Sequence, residues 1–129
     1  IWFFDLYIQY KIFYYYSIMA NKKICFDLDG VICNNTWGDY QDAKPYNESI
    51  NKINQLYDHG NYIIIFTSRF MGRSNNDSKK ANIMGYEFTK KQIEDWGLKF
   101  HKLILGKPEY DIIVDDKAYN YNNDWIKKI

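Results

Sequence analysis

The chain has 129 residues, a formal charge of +1 and two cysteines. That length suits one domain with a single core. The near-neutral balance supplies no global field for nucleic acid or for an anionic membrane surface. Cys25 and Cys33 lack metal-ligand spacing, the pattern of a reduced, cytoplasmic protein.

Residues 1–18, IWFFDLYIQYKIFYYYSI, keep no period of 2 or 3.6, and Asp5, Gln9 and Lys11 break them up. They make a poor membrane span, and no small-residue cleavage site follows. Met19 and the residues after it read as an ordinary start. Residues 1–18 are therefore expected to be a non-native or disordered extension, with a membrane-surface anchor as the competing reading. Residues 19–129 are the expected single domain.

Residues 23–28 read as a first strand, apolar on both faces, and 30–46 as a loop or flap broken by Gly30, Gly38 and Pro45. A helix opens at Asn47, with Ile50, Ile53, Leu56 and Tyr57 at helical spacing and Gly60 as its stop. Residues 61–66 form a second strand running into Thr67-Ser68-Arg69. Residues 70–88 look loop-like, and Thr89 to Gln92 form a capping box that opens a short helix closed by Gly97. Residues 102–105 and 111–116 are the third and fourth strands, and the last residues form a helix. Apolar strands alternating with helices predict an α/β fold, a Rossmann-like three-layer sandwich around a central parallel sheet.

In such a sheet, ligands sit beyond the carboxyl ends of the strands. The first strand ends in Asp27-Leu28-Asp29, inside the apolar run ICFDLDGVIC, where a carboxylate is expensive without a partner. The second ends in Thr67-Ser68-Arg69, the third is followed by Gly106-Lys107-Pro108, and the fourth ends in Asp115-Asp116. Carboxylates, a hydroxyl and an ammonium should therefore converge on one rim.

That set suits phosphoryl transfer through an aspartate. Mg²⁺ would relieve the repulsion between carboxylates, held by Asp27 and by Asp115 or Asp116. Asp27 would attack phosphorus, and Asp29 would serve as acid and then base. Thr67 would bind a phosphoryl oxygen, while Lys107 would hold the nucleophile and phosphate by charge, with Lys102 as the alternative lysine. Ser68 and Arg69 are candidate substrate contacts. Arg73, Lys79 and Lys80 read mainly as a solvated basic face, Trp37, Tyr40 and Lys44 as flap residues that meet a sugar ring or simply pack the loop, and His59 and His101 as structural.

These residues, in this order, resemble the haloacid dehalogenase (HAD) superfamily of phosphatases. Asp27-Leu28-Asp29-Gly30-Val31, Thr67, Lys107 and Asp115-Asp116 stand at its four motifs. The resemblance implies a HAD-like fold, a backbone-carbonyl contact from Asp29 to the metal, and Asp116 as ligand with Asp115 in support. The runs around Gly38, Pro45, Arg69, Lys107 and Asp116 are similar to the small capsule-biosynthesis phosphatases, which implies a sugar-phosphate substrate. Residues 30–66 and 68–106 leave no room for a cap domain, so either the substrate is large or another subunit closes the open site. No nucleic-acid or membrane partner is expected. A phosphatase for nucleotides or nucleic-acid ends is the enzymatic alternative, and an inactive phosphate- or metal-binding module the non-enzymatic one.

Overall fold

A computed structural model describes residues 2–18 and 20–129, with the backbone alone for 12–18. Met19, the expected start, lies outside the described residues, as does Ile1. A helix, α1 (Trp2–Ile18), occupies the stretch expected to be a disordered extension. Trp2, Phe3 and Phe4 on it are exposed. Among the described residues no helix is long and apolar enough to cross a membrane.

Three parallel strands follow: β1 (Lys23–Phe26), β2 (Tyr62–Thr67) and β3 (Lys102–Leu105), in the order β1-β2-β3. Ile24 pairs with Ile63 and Phe26 with Ile65 across the first interface, and Thr67 pairs with Leu105 across the second. Because paired residues share a face, Phe26, Ile63, Ile65, Leu103 and Leu105 join one core, sealed beside β1 by Trp125 at a ring separation of 5.6 Å from Phe26. Burial alternates along each strand, and Cys25 is exposed. The expected burial of the first strand on both faces is thus corrected: Ile24 and Phe26 turn toward the core, while Lys23 and Cys25 on the other face are exposed.

The helix α2 (Asn47–Asp58) buries Ile50, Ile53 and Leu56, as its spacing predicts. It ends where Gly60 N–H donates to the Tyr57 carbonyl and Asn61 N–H to that of Leu56, at 3.1 Å each, a Schellman closure. The Asn61 side chain is buried, and its Oδ1 accepts from Lys22 N–H at 3.1 Å, which fastens the helix end to the start of β1. His101 stacks between Tyr57 and Tyr62, and its Nδ1 accepts from Ile63 N–H at 3.0 Å. That is the structural role expected for it.

The helix expected from Thr89 starts eleven positions earlier, as α3 (Ser78–Asp95). Asp77 caps it, accepting from the N–H groups of Lys79 and Lys80 at 3.0 and 3.1 Å. Its buried face in the first half carries only Ala81 and Gly85, while Ile83 and Met84 face out. The apolar period was therefore hidden. Gly85 is small for a reason: a Cβ there would overlap the Phe70 ring. Gly85→Ala should lower stability by about 1–2 kcal/mol in denaturant unfolding, because overpacking outweighs the better helix propensity of alanine.

Residues 111–116 do not form the expected fourth strand. Ile112 and Val114 are 82% and 95% exposed. Strand-forming side chains give a segment the tendency to extend, but a strand also needs a neighbour, and among the described residues none pairs with it. The chain ends in a short helix, α4 (Trp125–Lys128). The architecture is α/β, with helices packed on a three-stranded parallel sheet in a Rossmann-like layering.

Candidate active site

Beyond Phe26 the chain turns sharply. The Leu28 carbonyl accepts from the N–H groups of Val31, Ile32 and Cys33, and Gly30 N–H donates to the Cys33 carbonyl at 2.7 Å. The turn carries Asp27 and Asp29 past the end of β1. At the end of β3, Lys107 N–H donates to the Thr67 carbonyl at 3.2 Å, which brings the lysine across to the same rim. Asp27, Asp29, Ser68 and Lys107 accordingly line one crevice of about 650 Å³.

Lys107 Nζ lies 3.4 Å from Asp27 Oδ1, and Leu28 N–H donates to the same oxygen at 2.8 Å. Burial pushes the Asp27 carboxyl above its ordinary range, against the pull of Lys107. For Lys107, burial favours the neutral amine, but Asp27 and Tyr110 outweigh it and raise the lysine above its usual value. Lys102 begins β3 and so sits at the opposite end of the strand, which leaves Lys107 as the lysine of the crevice.

Asp29 is gripped from behind. Arg69 Nε donates to its Oδ2 and Arg69 Nη2 to its Oδ1, both at 2.8 Å. This is the two-pronged geometry in which a guanidinium suits a carboxylate. The Arg69 side chain is fully buried, while that of Asp29 keeps 19% exposure toward the crevice. The remaining prong, Nη1, donates to Gln92 Oε1 on α3 at 2.6 Å, and Gln92 Nε2 donates to the Tyr40 carbonyl at 2.7 Å. The Tyr40 ring lies 4.7 Å from the guanidinium. Arg69, expected to contact substrate, commits its guanidinium to Asp29 and Gln92, and it also lines a second hollow beside the crevice. Cys33 Sγ, 3.4 Å from Asp29 Oδ1, belongs to the same packing, and its thiol is pushed up to about 12 by burial and then by the Asp29 charge.

Thr67 is buried beneath the rim, and its Oγ1 accepts from Arg69 N–H at 3.1 Å. Ser68 lines the crevice in its place. Asp115 and Asp116 are exposed and do not line it, and Asp115 Oδ1 accepts locally from Lys117 N–H at 2.8 Å. Among the described residues no cluster of three acid, histidine or cysteine side chains forms a ready metal cage. Asn35, Asn76, Glu109 and Asp111 line the crevice without having been anticipated. The two acids were in view, directly after Lys107. Asn76 was not, because its left-handed backbone (φ 60°) turns the chain inward in a way that composition does not reveal.

An α/β sheet with an acidic, lysine-bearing crevice at its carboxyl edge is the class that fold and site define. A crystal structure from Vibrio cholerae has the same fold, with a TM-score of 0.71 and 23% identity over 83% of this chain and 94% of that one. No protein-family model and no curated protein matches the chain.

Proposed function

We propose that this protein is a cytoplasmic, Mg²⁺-dependent phosphatase of HAD type without a cap, hydrolysing a phosphomonoester, with a sugar phosphate of surface-polysaccharide synthesis as the favoured substrate. The observation that carries the reading is the meeting of Asp27, Asp29 and Lys107 in one crevice at the carboxyl edge of a parallel sheet.

An Asp27 oxygen attacks phosphorus while the ester P–O bond breaks, and Asp29, held by Arg69, passes a proton from solvent to the departing alkoxide. A water, losing its proton to Asp29, then attacks the aspartyl-phosphate. The bond from phosphorus to Asp27 breaks, and inorganic phosphate leaves. Lys107 holds the charge of nucleophile and phosphoryl group together, and Ser68 is the hydroxyl placed to meet a phosphoryl oxygen.

The donors in the crevice are oxygens, which suits a hard divalent ion, and Mg²⁺ needs only one or two protein carboxylates because it keeps several waters. Asp27 and the Asp29 carbonyl would hold it. Glu109 and Asp111 are the further carboxylates that line the crevice, where the sequence favoured Asp116 with Asp115 in support. The ion would supply neutralising charge to the phosphoryl oxygens.

A phosphate-release screen over sugar phosphates, nucleotides and end-phosphorylated oligonucleotides, with Mg²⁺ and with EDTA, tests the reading. Release from sugar phosphates that EDTA abolishes is the expected result. Release from oligonucleotide ends alone would reassign the substrate, and no release from any of them would remove the enzyme reading.

A further inference from the structure

A second hollow of about 380 Å³ adjoins the crevice and shares Asp29, Asn35, Ser68 and Glu109 with it. A substrate whose phosphate meets Asp27 must put the rest of itself somewhere, and this is the adjoining space. Its far wall is built around Arg73. Arg73 Nη2 donates to the Gly38 carbonyl at 2.6 Å. The guanidinium lies over two rings, 5.2 Å from Tyr40 and 5.0 Å from Phe70. A Cβ on Gly38 would come within 2.9 Å of Nη2, and the backbone there, at φ 107°, favours glycine in its own right.

Two rings and a carbonyl thus fix an exposed cation, and among the described residues no carboxylate pairs with it. Beside it Trp37 is 93% exposed on a left-handed backbone (φ 55°). Strain of that kind is kept where surrounding structure or function demands it, and a bare indole makes a stacking platform. Thr36, in the same wall, has a buried hydroxyl that finds no hydrogen-bond partner among the described residues.

Building on the phosphatase reading, we infer that the second hollow is a leaving-group subsite selecting a hydroxyl-rich alcohol that carries an anionic group of its own, which Arg73 receives while Trp37 covers the ring. Planar guanidinium groups bind carboxylate and phosphate through paired hydrogen bonds, so either anion meets the requirement. Glu109 and Asn35 supply hydrogen-bonding partners for hydroxyl groups.

Glucose 1-phosphate, glucuronic acid 1-phosphate and glucose 1,6-bisphosphate make the comparison. At least one anionic substrate should exceed glucose 1-phosphate in kcat/KM by about tenfold, the yield of one charge-assisted hydrogen bond. Which one does so distinguishes carboxylate from phosphate. In Arg73→Gln that ratio should fall to about one, and Trp37→Ala should act mainly through KM. Equal turnover of all three by the wild type, or an undiminished ratio in Arg73→Gln, would overturn the inference. If none is hydrolysed, the phosphatase reading fails separately. Binding then decides the subsite: glucuronate, and not glucose, should quench tryptophan fluorescence, and Trp37→Ala should remove the signal. Equal quenching by both sugars, or by neither, refutes the subsite.

Discussion

Asp27→Asn is expected to reduce kcat by roughly 10⁴–10⁶-fold, the scale on which loss of a covalent nucleophile acts. The fold should survive, and the physical chemistry of the site suggests that it should gain. Burial raises the Asp27 carboxyl above its ordinary range, so the native state holds that proton more tightly than the unfolded chain does. Stability contributed by the protonated form is therefore lost as pH rises from the ordinary carboxylate range through the raised value. At neutral pH the ionised group weighs against folding. The neutral amide lacks that segment of the pH profile, and the unfolding midpoint of the variant at pH 7 should equal or exceed that of the wild type. Unaltered Mg²⁺-dependent turnover in the variant would show that another group attacks phosphorus.

Arg69→Met should be the most damaging single change to the fold. It removes a buried cation and leaves Asp29 facing an apolar side chain, a loss of about 3–5 kcal/mol for breaking a buried ion pair. Denaturant unfolding measures it directly. Arg69→Lys should recover only part, since one ammonium cannot occupy both carboxylate oxygens and Gln92 together. In whatever fraction of Arg69→Lys remains folded, kcat should fall more than KM rises, because Asp29 loses its orientation and not its access to substrate. Wild-type stability and turnover in Arg69→Met would mean that the grip on Asp29 is incidental.

The two arginines show what a sequence reveals and what it withholds. Asp27 and Asp29 were legible because carboxylates are rarely set into an apolar run without a partner. Lys107 was legible because parallel strands bring their carboxyl ends to one rim. Position along a strand fixes which end a side chain occupies, and that information is local. Burial is not local. Arg69 and Arg73 are both cations just beyond β2, and nothing in their spacing tells that one is enclosed by Asp29, Gln92 and Tyr40 while the other stays exposed. Asp29 lies 40 positions before Arg69, and Gln92 lies 23 positions after it. Likewise α2 declared itself through Ile50, Ile53 and Leu56, whereas the first half of α3 faces its neighbours with Ala81 and Gly85 and gave no apolar stripe to read.

The bare margin of β1 has a practical side. Its outward amides and carbonyls have no ladder partner among the described residues, and Ile112, Ile113 and Val114 stand exposed in the segment that follows β3. An open sheet border and a loose, strand-prone aliphatic triplet are the two halves of an intermolecular β-contact. Concentrated stocks of this protein therefore carry a built-in route to self-sticking, and dilute handling protects them.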